Sequence, residues 1–310
     1  MSVDTAVASP FVVARARVLD VSRVSPTFAR VTFGGGLDDL GDVGEVYDQR
    51  IKLVLPPAGG AVPDLAGAND WYGAWLAVPE AERGAMRTYS IRRLLVDDGG
   101  TRVVVDFVLH LAPGLTGPAA RWAAAAVPGD EVLLVGPRRG RAEVSGIEYA
   151  PGDARTVVLA GDETAAPAIA RILEDADPSL RGVAFIEVPT AFDELPIAAP
   201  AGVSVRWLPR DGRPHGAALL PAVLDHLDNG ATPGRIRDVE TAEPLWETPS
   251  YSGLGEPLPT HSNHADSYFW IAGESAVVTT LRRHLVRDLH IDRAQVAFMG
   301  YWRKGVAMRG

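Results

Sequence analysis

A short run of residues, Arg87 to Ser90, contains the first groups in the sequence that could do chemistry. Residues two apart on a strand share a face, so Arg87 and Tyr89 point to one side, while Thr88 and Ser90 point to the other or use their backbone groups. A tyrosine ring, a guanidinium group and hydroxyls are what a planar aromatic ligand carrying phosphate requires. Four residues are a weak signal alone, because such a strand is also typical of a solvated sheet face.

A helix is predicted to begin at Gly117-Pro118, shortly after a strand that ends at His110. Proline in the first turn marks its start, and Pro128-Gly129-Asp130 marks its end. The first turn of a helix has free backbone N–H groups and the positive end of the helix dipole, which together suit a pyrophosphate. Trp122, inside this helix, is equally compatible with core packing.

Two more turns follow predicted strands in the second half of the chain: Gly161-Asp162-Glu163-Thr164 and Gly273-Glu274-Ser275. In open parallel sheets, ligands bind outside the carboxyl ends of the strands. Neither turn is the Gly-x-Gly-x-x-Gly fingerprint. The carboxylates of Asp162 and Glu163 are expected to repel phosphate, so a dinucleotide there would be held weakly. Capping of the following helices is the alternative role for these side chains.

The elements that position these residues change character near Ala150. Short β-branched runs separated by Gly, Pro and Asp fill the first half, and they predict an antiparallel β-barrel interrupted by the helix Pro118 to Ala126. The predicted strands are 11–20, 27–33, 49–55, 88–95, 103–110 and 131–135.

Strands and helices alternate in the second half, which predicts an α/β domain with a parallel, helix-covered sheet. The predicted strands are 156–160, 182–188, 203–208, 267–272 and 295–300, and the predicted helices are 166–176, 217–227 and 276–289. A stretch rich in Pro, Gly, Ser and Thr between Asn229 and Asp266 is expected to be a long loop. We therefore expect one domain over residues 1–150 and a second over residues 151–310.

Composition excludes several classes of protein. The chain has no cysteine, so disulfides, thiolate nucleophiles and cysteine-ligated iron–sulfur clusters are ruled out. A net charge of −9 argues against nucleic-acid binding. No apolar run is long enough for a membrane span, and the first residues lack the basic start of a secretory signal, so the cytoplasm is the expected location.

Taken in order, these pieces resemble the siderophore-interacting proteins, flavoproteins of the ferredoxin-reductase-like superfamily. The resemblance covers essentially the whole chain, and its ending Gly300-Tyr301-Trp302-Arg303-Lys304-Gly305 is specific to this family among flavin reductases. It implies a two-domain fold, with an N-terminal antiparallel β-barrel that binds FAD and a C-terminal α/β Rossmann-like nucleotide domain.

The resemblance also implies roles for single residues. Tyr89 would lie against the flavin ring, Arg87 would bind the pyrophosphate, and Thr88 and Ser90 would contact the flavin edge. The wider FAD site would include Asp106, His110, Gly117, Ala119, Ala120 and Trp122. Relatives often have a serine at the position of Ala120 and a shorter turn after the histidine, which leaves backbone groups as the expected phosphate donors. NAD(P)H would approach Gly161, Asp162, Glu163, Thr164, Gly273 and Glu274.

In this family, basic residues near the flavin bind the anionic ferric siderophore. The corresponding candidates are Lys52, Arg138, Arg139, Arg303 and Lys304. Lys52 and Lys304 are the only lysines in the chain. A local positive patch in an otherwise acidic protein would both bind and steer such a complex.

The activity implied is FAD-dependent reduction of ferric siderophores, which releases Fe(II), with electrons from NAD(P)H or ferredoxin. A flavin is required because the donor gives two electrons and iron takes one. Two alternatives stay open: a general NAD(P)H flavin or quinone reductase, and a siderophore-binding protein without enzymatic activity.

Overall fold

Seven antiparallel strands form the first sheet of the computed structural model, which describes residues 9–41, 44–65, 68, 70–111, 116–141, 146–228, 245–248, 251–252 and 266–306. The strands are β1 (Phe11–Arg23), β2 (Phe28–Gly34), β3 (Arg50–Leu55), β4 (Ala85–Ser90), β5 (Arg93–Asp97), β6 (Gly100–Val108) and β7 (Glu131–Pro137). Their order across the sheet is β4-β3-β7-β1-β2-β6-β5.

This sheet curls into a half-barrel because its two edge strands, β4 and β5, are consecutive in the chain. The predicted single strand 88–95 is therefore wrong. It breaks at Ile91 and Arg92, whose N–H groups donate to Gln49 on one side and Val104 on the other. Alternate residues of the strands point into a common apolar core, with Phe33 and Phe107 fully buried.

Two helices accompany the first sheet. The predicted helix is confirmed as α2 (Pro118–Ala125), and its alanines pack on the half-barrel core. Sequence patterns did not predict α1 (Trp71–Ala77), which lies between β3 and β4 and starts where the Asp70 carboxylate caps Gly73 N–H. It covers a second, smaller apolar cluster, centred on Trp75, on the outer face of the sheet.

The second sheet is a parallel sheet extended by two short antiparallel strands. Its strands are β8 (Thr156–Gly161), β9 (Arg181–Val188), β10 (Gly202–Pro209), β11 (Trp246–Thr248), β12 (Tyr251–Ser252), β13 (Ser267–Glu274) and β14 (Val296–Trp302), in the order β10-β9-β8-β13-β14-β11-β12. Helices α3 (Ala166–Asp175), α4 (Leu219–Asp228) and α5 (Ser275–Arg283) pack on it. The predicted parallel, helix-covered sheet is confirmed for β8, β9, β10, β13 and β14.

Two predictions for the second half need correction. The helix expected over 276–289 ends as α5 at Arg283 and continues as one π-helical turn, His284–Asp288. The stretch 229–266 is not a loop throughout, because β11 and β12 lie in it and β11 pairs with the edge of β14. Most of that stretch lies outside the described residues.

Buried polar contacts join the two sheets. Trp270 Nε1, on β13, donates to the Asp48 carboxylate just before β3 at 3.0 Å. Arg92, between β4 and β5, makes two hydrogen bonds with Glu174 of α3, at 2.6 and 2.7 Å. These contacts fix how the strand that carries Tyr89 faces the turns of the second sheet. Within the described residues, no helix combines the length and the apolar character needed to cross a membrane.

Candidate functional site

Tyr89 ends an aromatic stack that runs into the half-barrel. Its ring centre lies 4.5 Å from that of Phe107, which in turn lies 5.5 Å from Trp122 of α2. Phe33 stacks on Trp122 at 6.1 Å and lies 6.4 Å from Phe107, so these three rings form one cluster. Burial raises the pKa of the Tyr89 hydroxyl, so this residue offers a neutral, rigidly packed ring. Trp122 packs on the half-barrel core and supports the Tyr89 ring through Phe107.

Arg87 presents a cation without an acidic partner in the described part of the chain. Its guanidinium donates to the Met86 carbonyl at 2.6 Å, and burial lowers its pKa. On the opposite face of β4, the Thr88 hydroxyl accepts a hydrogen bond from Lys52 Nζ at 3.0 Å. The alternation expected for residues 87–90 is thus observed: Arg87 and Tyr89 share the inner face, and Thr88 faces outward beside a lysine.

The first turn of α2 is not capped by any side chain of the described residues. Gly117 is the N-cap residue, and a Cβ at Gly117 would meet no described atom within 4 Å. Ala119 and Ala120 are buried against the core, so the donors at this helix end are backbone N–H groups. Among the described residues, a guanidinium without an acidic partner, helix N–H groups without a side-chain cap and a supported tyrosine ring fit the pyrophosphate and ring of FAD.

Asp106, one of the predicted FAD residues, forms ion pairs with arginines of the protein. It is buried, and both carboxylate oxygens accept from Arg30, at 2.7 and 2.8 Å. Arg92 lies 3.7 Å away and continues the network to Glu174. The Asp106 carboxylate therefore holds Arg30 within the first sheet and lies beside Arg92, which reaches the second domain through Glu174.

Glu163 is neutralised within the turn after β8, contrary to the expectation that it repels phosphate. It is fully buried, and Arg210, at the end of β10, donates to both of its oxygens at 2.6 and 2.8 Å. His110 lies 3.0 Å and His215 3.4 Å from the same carboxylate. Burial alone would raise the pKa of Glu163, but these partners hold it well below its usual range. The His110 contact also links β6 to the second sheet.

Asp162 joins the three strand ends of the second sheet. Its carboxylate accepts from Thr164, from Glu274 N–H at 2.7 Å and from Trp302 Nε1 at 2.8 Å. Burial and the neighbouring Glu163 charge raise its pKa. A Cβ at Gly273 would come within 2.6 Å of this carboxylate, and Gly273 has a φ of 137°, so only glycine fits there.

Glu274, rather than Ser275, caps α5: its carboxylate accepts from Ala276 and Val277 N–H. Gly161, Asp162, Thr164, Gly273 and Glu274 therefore meet at one edge of the sheet, as the sequence predicted. Three residues of this edge were not predicted as site residues: Arg210, His215 and Trp302. The Trp302 ring packs 4.7 Å from His215 and 5.7 Å from His110. The end of a strand was the only signal available for Arg210.

The five basic candidates lie at three separate places: on β3, just after β7 and just after β14. Lys52 is exposed on the outer face of β3. Arg138 is paired with Asp39 at 2.8 Å, and Arg139 donates to the carbonyls of Leu40 and Gly41, so both hold a neighbouring loop. Arg303 and Lys304 follow Trp302, and Lys304 N–H donates to Glu274 at 3.3 Å.

Two family models match the chain. Residues 17–141 match the siderophore-interacting FAD-binding domain, and residues 154–305 match the siderophore-interacting protein model.

Curated relatives match over nearly their whole length. An uncharacterized protein of Mycobacterium bovis is 33% identical over 93% of this chain and 89% of its own length. The ferric vibriobactin reductase ViuB of Vibrio cholerae is 26% identical over 93% and 90%, respectively. An NADPH-dependent ferric-chelate reductase of Escherichia coli is 26% identical over 92% and 91%.

Solved structures agree with these matches. A siderophore utilization protein from T. fusca superposes with a TM-score of 0.66 at 27% identity, covering 96% of this chain and 95% of that one. A ferredoxin reductase of carbazole 1,9a-dioxygenase shares the fold, with a TM-score of 0.56 at 16% identity over 94% of this chain and 68% of that one. The expected ferredoxin-reductase-like architecture is thereby confirmed, and the chain belongs to the siderophore-interacting protein family.

Proposed function

We propose that this protein is an FAD-dependent oxidoreductase that reduces ferric siderophores with electrons from NAD(P)H and so releases Fe(II). One observation carries the proposal. Among the described residues, the first turn of α2 has no side-chain cap and Arg87 has no acidic partner, and both belong, with a supported Tyr89 ring, to a domain that matches an FAD-binding model. The names of the Vibrio cholerae and Escherichia coli relatives support the activity.

In this proposal the first domain, residues 1–150, holds FAD. Backbone N–H groups after Gly117 and the Arg87 guanidinium bind its pyrophosphate, and Tyr89 lies against its ring, with Ser90 at the ring edge. FAD, when bound, supplies the conversion from a two-electron donor to a one-electron acceptor, so one NAD(P)H reduces two Fe(III) to two Fe(II) and releases one proton.

The second domain, residues 151–310, binds NAD(P)H at the edge formed by Gly161, Gly273 and Trp302. Arg210 neutralises Glu163, which removes the main reason to expect that phosphate is repelled there. This favours a nicotinamide dinucleotide over ferredoxin as the electron donor. NAD(P)H is a cytoplasmic reductant, and we therefore propose that the protein acts in the cytoplasm.

Lysine variants separate this proposal from a general flavin or quinone reductase. Replacing Lys52 or Lys304 by alanine removes a cation that would contact an anionic chelate, and we expect kcat/KM for the ferric chelate to fall about tenfold or more. Turnover with a neutral quinone should persist in both variants. Arg181→Ala provides a control, because Arg181 is an exposed cation at the start of β9, at the amino ends of the parallel strands and away from the proposed site.

Equal losses of chelate and quinone turnover in the lysine variants would contradict the assignment of these lysines to the substrate. A purified protein that releases no flavin on denaturation would instead favour a binding protein without enzymatic activity.

A further inference from the structure

Two neighbouring turns follow the carboxyl ends of β9 and β10, beside the proposed NAD(P)H edge. They are held together because Arg210 N–H donates to the Val188 carbonyl at 2.8 Å and Asp211 N–H donates to the Pro189 carbonyl at 3.0 Å. Two strand spacings, about 10 Å, separate this pair of turns from the pair that follows β8 and β13. Dinucleotides bind across the carboxyl ends of adjacent strands in such sheets. With the nicotinamide between β8 and β13, the adenosine half is therefore expected at the turns after β9 and β10.

The turn after β10 holds an exposed cation in place. Arg213 Nε donates to the Arg210 carbonyl at 2.8 Å, and one Nη atom donates to the Pro209 carbonyl at 2.9 Å. A guanidinium has five N–H donors, so these two bonds fix the group without using all of them. Arg213 is exposed and has no acidic partner in the part of the chain that the structure describes. A guanidinium fixed in this way is well suited to bind phosphate oxygens.

The turn after β9 carries an exposed aromatic ring. Phe192 is 82% exposed and lies in the short 3-10 helix that follows this strand. The carboxylate of Asp193 accepts from the Thr190 hydroxyl at 2.9 Å, and from the Ser25 hydroxyl and the Thr27 N–H of the first domain at 2.7 and 2.9 Å. The backbone around Phe192 is therefore fixed while its ring lies in solvent, where it can stack on a purine.

The acidic residue of β9 bonds to the start of α4. In Rossmann-type sites that take NADH, a carboxylate accepts from the ribose 2′-hydroxyl, whereas an arginine accommodates the 2′-phosphate of NADPH. Glu187 is fully buried, and its carboxylate accepts from the N–H groups of Gly216, Ala218 and Leu219 at 2.7, 2.9 and 3.1 Å. Glu187 therefore serves α4, and the Arg213 cation rather than this carboxylate is exposed at the two turns.

We infer that the electron donor is NADPH rather than NADH, with Arg213 on the 2′-phosphate and Phe192 stacked on the adenine, an inference that rests on the proposed function. The 2′-phosphate is the sole chemical difference between the two nucleotides, so a group that selects between them must lie beside it. Arg213 supplies charge-assisted hydrogen bonds to that phosphate. Phe192 contacts a ring that both nucleotides share, so it contributes affinity for both.

Two adenosine fragments test the site without electron transfer. Adenosine 2′,5′-bisphosphate and adenosine 5′-monophosphate would each be titrated into the flavin-loaded protein in a calorimeter. We expect the bisphosphate to bind about tenfold or more tightly, because a charge-assisted contact contributes at least that factor. Equal affinities or no detectable binding of the bisphosphate would overturn the inference. So would tighter binding of the monophosphate, which is expected if the exposed Asp211 carboxylate faces the ribose.

Variants of the two turns assign the preference to single side chains. Arg213→Ala should weaken binding of the bisphosphate about tenfold or more and leave binding of the monophosphate unchanged. Arg206→Ala is the matched control, because Arg206 is an exposed cation of β10 that stacks on Phe185, and it should change neither affinity. Phe192→Ala should weaken both fragments about three- to tenfold, whereas Phe192→Tyr should retain both affinities.

A preference for the bisphosphate that survives in Arg213→Ala would contradict the role given to this arginine. Failure of the proposed function would look different: NADPH would leave the bound flavin oxidised, or ferric chelates would not reoxidise the reduced flavin, while the fragments still bind with the expected preference.

Discussion

The two halves of the candidate site treat their charged groups in opposite ways. In the half-barrel, Arg87 has no acidic partner and the first turn of α2 has no side-chain cap among the described residues. At the carboxyl ends of the second sheet, Glu163 is paired with the Arg210 cation and lies within hydrogen-bond distance of His110 and His215. Open donors suit a tightly held, permanently bound dinucleotide, whereas an internally neutralised edge suits a ligand that binds and leaves.

Removing Arg210 should cause the largest loss of stability. It tests whether Glu163 in the second sheet depends on this arginine. Arg210→Ala leaves Glu163 as a buried carboxylate without its main cation, and we expect the free energy of unfolding to fall by about 3–5 kcal/mol. Urea denaturation measures this loss. Arg206→Ala, on the same strand but exposed and stacked on Phe185, should cost less than about 1 kcal/mol. Similar losses in the two variants would show that Glu163 does not depend on Arg210.

Asp48 is a second buried carboxylate. Its pKa is raised, whereas the pKa of Glu163 is lowered, so the two groups can be compared directly. Burial raises the pKa of Asp48 to about 6, although N–H groups of Tyr149, Trp270 and Glu148 favour its charged form. Since this pKa is higher in the folded protein than in the unfolded chain, Asp48 destabilises the fold progressively as pH rises through 6. We expect this effect to reach about 3 kcal/mol at most.

Unfolding free energies of the wild type and Asp48→Asn, measured between pH 4.5 and 7.5, would reveal this contribution. The advantage of the wild type over the variant should shrink as pH rises. Parallel pH profiles for the two proteins would contradict a raised pKa.

Arg87 tests the proposed FAD site of the half-barrel. Its removal should give the smallest of the three free-energy changes, and that change is in FAD binding. Arg87→Ala should weaken FAD binding by about 1.5–3 kcal/mol, roughly ten- to a hundredfold, because a charge-assisted contact to phosphate is lost. Flavin fluorescence during titration of the apoprotein measures it. The stability of the apoprotein should change little, since Arg87 has no acidic partner among the described residues. A loss of stability without a loss of flavin affinity would reverse the roles assigned to the two halves.

Local patterns predicted much of the fold. Alternating β-branched residues indicated the strands of the first sheet, and Gly117-Pro118 located the start of α2. The carboxyl ends of β8 and β13 were predicted to meet, and they do. In each case the signal lies within a few residues, or follows from the geometry of parallel sheets.

Long-range pairing could not be predicted. Arg210 and Glu163 are 47 residues apart in the chain, and Trp302 and Asp162 are 140 residues apart. Nothing in the local sequence distinguishes a carboxylate that repels phosphate from one that an arginine neutralises. Helix α1 was missed because its aromatic, seven-residue sequence has weak helix preference, and tertiary packing of Trp75 stabilises it instead.

An anaerobic titration tests the central claim most directly. The purified, flavin-loaded protein would be followed by visible absorption while NADPH or NADH is added, and a ferric catecholate would then be added. We predict that about one equivalent of NAD(P)H bleaches the flavin band and that about two equivalents of the ferric chelate restore it, with Fe(II) appearing in step. A flavin that stays oxidised with both nucleotides, or a bleached flavin that the ferric chelate does not reoxidise, would contradict the account.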